Sequence, residues 1–370
     1  MKVAIVHYWL LGMRGGEKVV EALCRLFPNA DLFTLFYQPD RVSSLIRSRR
    51  VTTSFLNPGR RMYRSLLPLM PVALEQFDLR DYDLVISSES GPAKGVITKA
   101  DARHICYCHT PMRYLWDLYP DYLRDFTHSK LRRALMIPLA HYLRLWDFAA
   151  AARVDHFIAN SENTKRRLMK AYRRDAQVIY PPVPVDTFFH RPAEDYFLIV
   201  SELAPYKRLD YAVRAFSNTG RRLRIVGDGP EYKRLRGLAG KNVEFCGRTP
   251  DHELRALYAS CRALLLPGEE DFGITMVEAL ASGKPVIALA RGGALEIVPD
   301  RGGVLYDRSD EQGLTEALLR FEALEATFNP LSLRAHATRF REERFAEQFM
   351  AALAADGVRR AANAGSAARP

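Results

Sequence analysis

Two glutamates, Glu270 and Glu278, are separated by seven residues in the segment Gly268–Ala288, GEEDFGITMVEALASGKPVIA. An apolar run typical of a buried strand precedes them, Gly273 allows a tight turn, and a helix is predicted from about Ile274. Glu270 would therefore lie in the loop before the helix, and Glu278 a little over one helical turn inside it. The free amides at the helix start can bind an anion such as a diphosphate. The two carboxylates can accept hydrogen bonds from the hydroxyls of a ribose or a sugar.

Acidic residues near a helix start also have an ordinary explanation, since they interact favourably with the helix dipole. Two isolated glutamates at this spacing would fit that explanation equally well. Here the complete pattern of strand, loop, helix and a second apolar run at Pro285–Ala288 favours a binding site. The backbone amides of Gly273, Ile274 and Thr275 are then the expected contacts of the anion.

A lysine, Lys207, follows another predicted strand, YFLIVS, and precedes a helix predicted from about Leu209. It would lie at the carboxyl end of the strand, where open α/β sheets bind ligands. A lysine there can neutralise a leaving diphosphate as a bond to it breaks, and the adjacent Arg208 could supply a second charge. The alternative is a solvated pair of basic residues on a surface turn.

The first half of the chain has a glycine-rich turn and a histidine in comparable places. Gly15 and Gly16 follow the first predicted strand, KVAIV, and would let the backbone approach a ligand at a helix start. His109 ends the predicted strand RHICYC and is well placed for a ligand. The turn is not the dinucleotide fingerprint G-x-G-x-x-G, and taken alone it also fits a plain connection between a strand and a helix.

Two patterns that could bind a metal ion are better explained otherwise. His104, Cys106 and Cys108 share one face of a predicted strand but lack the C-x2-C pairs of structural zinc sites. Asp81 and Asp83 match the D-x-D motif that some enzymes use to bind Mn²⁺ or Mg²⁺. They precede a strand, however, where acidic residues are usually solvated turn residues. We therefore expect no bound metal.

Short apolar runs alternate with helical stretches along the chain, a pattern typical of parallel sheets covered on both faces. We expect an α/β protein with two Rossmann-like, doubly wound parallel sheets, one in each half. The predicted strands are KVAIV, DLVIS, RHICYC, VDHFIAN and QVIYPPV in the first half, and YFLIVS, LRIVG, NVEFCG, ALLLPG and PVIAL in the second.

The boundary between the two expected domains lies near Pro181–Pro184, because this proline-rich segment can continue neither a strand nor a helix. We expect an N-terminal domain over residues 1–183 and a C-terminal domain over 184–340. A final helix, 341–355, would return to the N-terminal domain. The last residues, 356–370, are rich in Ala, Gly and Arg and are expected to be a disordered tail.

Composition and charge limit the class of protein and its partners. The chain has 370 residues, of which 48% are hydrophobic and 26% charged, as in a folded protein of two domains. Its net charge of +11 fits phosphorylated substrates, an anionic membrane surface or nucleic acid. The five cysteines suggest no disulfide framework, so we expect a reducing, cytoplasmic compartment. The N-terminus lacks a signal-peptide cleavage site, and no apolar run reaches the roughly 20 residues of a membrane span.

The segment around Glu270 and Glu278 resembles the E-x7-E signature of the retaining family-4 glycosyltransferases, which have the GT-B fold. The match continues through ALASGKPVIA, and the resemblance covers nearly the whole chain, most closely residues 196–306. It implies that Glu270 contacts the sugar of a nucleotide-sugar donor and Glu278 its ribose. Lys207, with Arg208, would contact the diphosphate, and the backbone near Arg248 would face the base.

The resemblance extends to the first half of the chain. Gly15 and Gly16 are similar to the family's first glycine loop, which closes over donor and acceptor, and His109 to the histidine that contacts the donor hexose. It implies a retaining transfer in a cleft between two domains, in which an oxygen of the diphosphate takes the acceptor's proton. No metal or other cofactor is implied.

The stretch PMRYLWDLYPDY after His109 looks closest to bacterial mannosyltransferases of O-antigen and exopolysaccharide assembly. This likeness implies GDP-mannose as the donor and a lipid-linked glycan as the acceptor. A UDP-sugar donor is an alternative. A non-catalytic partner subunit is another, because Glu202 stands where the family usually has an arginine, five residues before the lysine. A nucleic-acid-binding protein would need aromatic residues interleaved on a basic face, and none is evident.

Three stretches mix basic and apolar residues: Arg47–Arg50, Asn57–Pro71 and Lys130–Trp146. Such stretches can lie on an anionic membrane, where each basic residue contributes about 1 kcal/mol. They also fit solvated helix faces. The resemblance to enzymes that act on lipid-linked acceptors adds support for the membrane interpretation.

Overall fold

The computed structural model describes residues 1–125 and 130–367. The chain forms two compact units: unit 1 comprises Met1–Pro182 with Phe345–Pro370, and unit 2 comprises Val183–Arg344. Each unit contains one parallel sheet with helices around it, which confirms the predicted α/β class with two doubly wound sheets.

Unit 1 is built on a seven-stranded parallel sheet of order β3-β2-β1-β4-β5-β6-β7. Alternate residues of β1 contribute to two different cores, Val3 and Ile5 on one face of the sheet and Ala4 and Val6 on the other. Burial on both faces explains why this strand is apolar without alternation. The strands are β1 (Val3–Leu10), β2 (Asp31–Tyr37), β3 (Val51–Thr53), β4 (Leu84–Glu89), β5 (Arg103–Cys108), β6 (His156–Ala159) and β7 (Ala176–Val178), and the helices are α1 (Gly15–Leu26), α2 (Ser44–Arg47), α3 (Met70–Glu75), α4 (Tyr119–Asp125), α5 (Lys130–Ala152) and α6 (Glu162–Tyr172).

Unit 2 is built on a six-stranded parallel sheet of order β10-β9-β8-β11-β12-β13. The order reverses between β8 and β11, as it does between β1 and β4 in unit 1. At such a point the loops after the two strands diverge and leave a crevice at their carboxyl ends. The strands are β8 (Phe197–Val200), β9 (Leu223–Val226), β10 (Val243–Gly247), β11 (Leu264–Leu266), β12 (Val286–Leu289) and β13 (Gly303–Tyr306), and the helices are α7 (Leu209–Thr219), α8 (Tyr232–Leu238), α9 (Asp251–Ser260), α10 (Ile274–Ala281), α11 (Ala294–Ile297), α12 (Glu311–Leu324) and α13 (Pro330–Ala337).

The final helix, α14 (Glu342–Ala367), belongs mostly to unit 1. Phe345 and Phe349 are buried in its core, next to Tyr107 and Phe27. The helix continues to Ala367, and residues 368–370 lie outside the described residues. The disordered tail expected over residues 356–370 stays a prediction.

Three strands escaped the sequence analysis. β2 is a central strand between β1 and β3, whereas β3 and β13 are short strands at sheet edges. Only three residues of β3 pair with β2, and a run of that length has no distinctive periodicity. The chain passes between the units at Pro182–Val183, one residue before the expected boundary, and again at Arg344–Phe345.

Candidate active site

Lys207 and Glu270 meet at the point where the strand order of unit 2 reverses. Lys207 follows β8 and Glu270 follows β11, and these are the two adjacent strands that flank the reversal. The Lys207 ammonium donates a hydrogen bond to Oε1 of Glu270 in a salt bridge. Their side chains are 14% and 23% exposed, so the pair is desolvated yet open at one side. Two residues that are 63 positions apart in the chain therefore form one charged site.

Close backbone approach makes this pairing possible. A Cβ atom on Gly268 would lie 2.7 Å from the carbonyl oxygen of Lys207, so only glycine lets the loop after β11 come this near. On the other side, Gly293 donates its N–H to the carbonyl of Glu270 at 2.9 Å. Gly292 has a φ of +59°, which glycine adopts without strain. The glycines thus hold the backbone of Glu270 between two neighbouring loops.

The charge state of Lys207 follows from this geometry. Burial opposes the charged form of the lysine, but the Glu270 carboxylate and its hydrogen bond outweigh that effect. The net result is that the pKa of Lys207 is raised above its usual value. The ammonium is therefore charged at all physiological pH values and can bind an anion.

Glu278 lies in α10 and is held by a partner that the sequence analysis missed. The hydroxyl of Tyr258, at the end of α9, donates to Oε2 of Glu278 at 2.7 Å. Burial and the neighbouring carboxylate raise the pKa of Tyr258 well above its usual value, so the hydroxyl stays protonated. Glu278 is only 5% exposed, and this hydrogen bond orients one of its oxygens.

The start of α10 has the conformation that the sequence predicts. Gly273 precedes the helix with a φ of +95°, and a Cβ there would lie 2.3 Å from the methyl carbon of Met276. Ile274 and Thr275 form the first turn and are half-buried. Their amides come at the helix start, where no acceptor exists within the helix, so this end of α10 can bind an anion.

The other predicted basic residues of unit 2 contact side chains outside the Lys207–Glu270 pair. Arg208 is exposed, has a φ of +53°, and its guanidinium lies 5.6 Å from the ring centre of Tyr211. Arg248 follows β10 and lies 3.7 Å from Asp228 in an exposed ion pair. Glu202 is half-buried in the loop after β8, where its backbone carbonyl oxygen accepts a hydrogen bond from the backbone N–H of Ala204.

Unit 1 contains a cluster of neutral polar side chains where its own strand order reverses. His7 Nδ1 donates to the Ser88 carbonyl at 2.8 Å, and Nε2 of His109 lies 2.9 Å from the Ser88 hydroxyl. Burial, together with the nearby His109, lowers the pKa of His7 to about 3, and burial lowers that of His109 to about 4. Both rings are therefore uncharged at neutral pH. His7 and Ser88 were missed because polar residues inside apolar strands leave no spacing pattern.

Gly15 and Gly16 open α1 directly beside this cluster. A Cβ on Gly16 would lie 3.3 Å from both Cε1 of His7 and the hydroxyl of Tyr8, and 3.5 Å from Nε2 of His109. The small residue lets the helix start approach these rings. Gly15, Gly16 and His109, which the sequence analysis singled out separately, are thus brought together in unit 1.

Two family models match consecutive stretches of the chain. The model described as Glycosyltransferase Family 4 matches residues 13–187, and the model described as Glycosyl transferases group 1 matches residues 187–340. Together they leave out only the first 12 and the last 30 of the 370 residues. The chain belongs to the family 4 glycosyltransferases.

Curated relatives of this family 4 glycosyltransferase match parts of its length. An uncharacterized glycosyltransferase of Methanocaldococcus jannaschii is 30% identical over 176 residues, which are 46% of this chain and 50% of that protein. A GDP-mannose-dependent alpha-mannosyltransferase of Mycolicibacterium smegmatis is 39% identical over 110 residues, 29% of each chain. The chain therefore spans half or less of the length of these relatives.

Solved structures resemble the glycosyltransferase over nearly its whole length. The crystal structure of Anabaena HepE in complex with UDP-glucose has a TM-score of 0.70 and 17% sequence identity, and the match covers 96% of this chain and 100% of HepE. A likeness at this identity is evidence for the fold. The two units accordingly correspond to the two Rossmann-like domains of the predicted GT-B fold.

In this family 4 glycosyltransferase, residues of the two patterns that could bind a metal ion form hydrogen bonds with other side chains. Asp81 and Asp83 precede β4 at the amino end of the sheet, and Asp83 accepts a hydrogen bond from Lys99 at 3.0 Å. Nε2 of His104 lies 2.9 Å from the hydroxyl of Ser87. Within residues 1–125 and 130–367, no group of three or more His, Cys, Asp or Glu side chains could hold a metal ion.

Proposed function

We propose that this chain is a retaining hexosyltransferase that moves a sugar from a nucleotide sugar to a hydroxyl group of a glycan acceptor. The observation that carries the proposal is the Lys207–Glu270 pair at the strand-order reversal of unit 2. A half-buried, charged lysine beside a helix start fits a diphosphate, and a carboxylate beside it fits sugar hydroxyls. Glu278, oriented by Tyr258, is the proposed contact of the ribose.

Each residue has a defined part in the proposed reaction. Lys207 and the amides of Gly273, Ile274 and Thr275 stabilise the negative charge that develops on the diphosphate as the glycosidic bond breaks. Glu270 orients the hexose through its hydroxyls, and the resemblance assigns His109 to the same sugar. An oxygen of the departing diphosphate takes the proton of the acceptor hydroxyl. Gly15 and Gly16 are proposed as further donor contacts, and the backbone near Arg248 as the contact of the base.

We propose that the transfer needs no metal ion, because Lys207 and the helix amides supply the positive potential that a cation would otherwise provide. Turnover should therefore be unchanged in excess EDTA. Loss of activity on EDTA treatment, with recovery on adding Mg²⁺ or Mn²⁺, would contradict this part of the proposal.

GDP-mannose is the donor that we propose. The likeness of the PMRYLWDLYPDY stretch to mannosyltransferases supports it, as does the similarity to the GDP-mannose-dependent enzyme of Mycolicibacterium smegmatis. A UDP-sugar is the second candidate, because the structure of HepE, which shares the fold, is a complex with UDP-glucose.

The deciding experiment is binding of GDP, UDP and their mannose, glucose and N-acetylglucosamine conjugates, measured by thermal shift without metal. Stabilisation by GDP and GDP-mannose alone supports the proposed donor, whereas stabilisation by UDP compounds replaces the donor and keeps the reaction class. Binding without turnover on any glycan acceptor would favour the non-catalytic partner subunit. Failure to bind any of these compounds would overturn the proposed function.

We also propose that unit 1 contacts the inner, cytoplasmic face of an anionic membrane, where a lipid-linked acceptor would be presented. None of the helices in the described ranges is long and apolar enough to cross a bilayer. In the first turns of α5, however, Leu131, Leu135 and Ile137 are 70%, 64% and 49% exposed to solvent. Lys130 and Arg133 are exposed on the same turns. Exposed apolar residues interspersed with basic ones are typical of interfacial helices.

A second segment with exposed basic and apolar residues packs against α5. Leu67, in the 3-10 segment Asn57–Leu69, packs in one cluster with Leu143 and Trp146 of α5. The segment exposes Arg61 and Met62, the latter by 67%. Asp147 is the sole acidic residue in the sequence of either segment and is fully buried, so neither presents a carboxylate to solvent.

Flotation with vesicles tests this contact. Binding is expected to vesicles that contain anionic lipid, to weaken with salt, and to fall at least tenfold when Leu131 and Leu135 are both replaced by serine. The double variant Leu295→Ser and Leu319→Ser is the matched control, because these two leucines of unit 2 are each 56% exposed. Equal loss in both double variants, or equal binding to neutral vesicles, would contradict the proposed surface.

A further inference from the structure

Lys207 and Glu270 bind each other in this structure although the proposed function assigns them to different parts of the donor. The lysine is assigned to the diphosphate and the glutamate to the sugar. Any phosphate that reaches Lys207 must therefore share its ammonium with a carboxylate. This makes Glu270 a counter-charge within the anion site as well as a ligand for the sugar.

The backbone around the pair keeps the carboxylate from moving far away. The loop of Glu270 pairs with Gly292, and a Cβ on that glycine would lie 2.1 Å from the carbonyl oxygen of Glu270. A Cβ on Gly268 would likewise lie 2.7 Å from the carbonyl oxygen of Lys207. Side-chain rotation is possible, but the carboxylate stays within reach of Lys207. Its negative charge therefore remains beside whatever group the lysine binds.

The two nucleotides that the proposed reaction brings to this site differ in charge. In a nucleotide sugar the β-phosphate is joined by an anhydride to the α-phosphate and by an ester to the hexose, so it carries one negative charge, and the hexose brings hydroxyls that can donate to Glu270. In the product nucleoside diphosphate the same phosphate is terminal and joined only by the anhydride, and its second ionisation occurs near pH 6. The product has more negative charge next to the carboxylate and no sugar hydroxyl to offer it.

We propose that Glu270 discriminates between substrate and product: it binds the sugar of the donor and repels the terminal phosphate of the nucleoside diphosphate, which speeds product release. The inference rests on the proposed function and adds a second role for the same carboxylate. Electrostatic discrimination of this kind requires an interaction that differs between the two bound states.

The test compares dissociation constants of wild type and Glu270→Gln, which keeps the shape of the side chain and removes its charge. Titration calorimetry would use the nucleoside diphosphate, the nucleotide sugar and, as a control without a β-phosphate, the monophosphate of the same base. The nucleoside diphosphate is expected to bind about tenfold more tightly to the variant. The nucleotide sugar should bind no more tightly than to wild type, and the monophosphate should change by less than twofold.

Glu269→Gln is the matched control, since it removes the same charge one residue away, and its nucleoside diphosphate affinity should change by less than twofold. Glu270→Ala gives the same prediction if the glutamine variant does not fold. A damaged site would weaken all three ligands, so tighter binding of the product without tighter binding of the donor identifies the proposed role.

Two results would overturn the inference. Unchanged or weaker binding of the nucleoside diphosphate to Glu270→Gln, with normal binding to wild type, would refute the discrimination and leave the proposed function standing. Absence of any nucleotide binding to wild type would refute both.

Discussion

At the scale of single residues, the site of unit 2 depends on side chains that orient other side chains. Tyr258 is the clearest case, because its hydroxyl hydrogen-bonds to a carboxylate that is almost completely buried. A hydrogen bond to a charged group contributes about 1.5–3 kcal/mol. Part of the nucleotide affinity assigned to Glu278 should therefore depend on Tyr258.

We expect Tyr258→Phe to weaken nucleotide-sugar binding about tenfold, because Glu278 loses the donor that orients it. The turnover number should change by less than threefold, since Tyr258 is not among the residues placed at the reacting bond. Tyr196→Phe removes a hydroxyl that donates to the Leu257 carbonyl at 2.8 Å and serves as the control. Equal loss of affinity in both variants would show a general effect on folding instead.

Lys207 differs from Tyr258 because its proposed partner charge grows during the reaction. We expect Lys207→Ala to lower the turnover number about 100–1000-fold and to weaken donor binding much less. Arg214→Ala is the control, since Arg214 is an exposed basic residue of α7 that is not assigned to the donor. Near-normal turnover of Lys207→Ala in a steady-state assay would show that the lysine does not stabilise the leaving group.

At the scale of elements, a buried ionic network joins the end of β4 to α5. Lys94 forms salt bridges with Glu89 at 3.2 Å and with Asp147, and all three side chains are at most 1% exposed. Asp147 also accepts hydrogen bonds from Trp116 at 2.8 Å and from Tyr172 at 2.7 Å. The network fixes the turn after β4, directly beside Ser88 and its two histidines.

The charge of this network should make the stability of unit 1 depend on pH. Burial raises the pKa of Glu89 from 4.5 to about 7 despite the nearby Lys94, so the folded state holds the proton more tightly than the unfolded chain. The contribution of Glu89 is thus largest below about pH 4.5 and is lost as the pH rises to about 7. Burial lowers the pKa values of His7, His104 and His109. Their contribution to stability therefore changes in the opposite direction, because it falls as the pH drops below about 6.5.

A comparison with Glu89→Gln separates these opposing effects. From about pH 4.5 to 7, the free energy of unfolding of the variant should rise relative to wild type by up to about 1.4 kcal/mol per pH unit. Urea denaturation at several pH values measures this difference. A difference that is constant with pH would show that Glu89 titrates at its ordinary value in the folded protein.

At the scale of the whole molecule, unit 1 is assembled from both ends of the chain. α14 packs Phe345 and Phe349 into the core that β1 and α1 begin. The core of unit 1 therefore cannot be completed until the residues that follow unit 2 in the chain are present. All three tryptophans, Trp9, Trp116 and Trp146, lie in unit 1, so tryptophan fluorescence reports on this unit.

We expect Phe349→Ala to destabilise unit 1 by about 3–5 kcal/mol, because it leaves a cavity in a closed core. Met350→Ala is the control on the same helix, since Met350 is 46% exposed and should change stability by about 0.5 kcal/mol or less. Urea unfolding followed by tryptophan fluorescence measures both. Similar destabilisation by the two variants would show that α14 does not pack on unit 1 in solution.

Local patterns in the sequence predicted most of the elements and the position of Lys207 and Glu270 at the ends of strands. Lys207 and Glu270 could be found because each follows an apolar run and precedes a helix, and the carboxyl ends of parallel strands are where ligands bind. Gly273 before α10 could be predicted because only a glycine adopts its backbone conformation without strain.

The tertiary structure alone decided which of these residues touch. The pairing of Lys207 with Glu270 requires β8 and β11 to be neighbours, and strand order is not written in the sequence of either strand. The same holds for Tyr258 with Glu278 and for Lys94 with Asp147. Such contacts depend on side chains that the fold brings together from distant positions. A local pattern can specify the type and exposure of a residue, whereas its partner is fixed only when the whole sheet and its loops have packed.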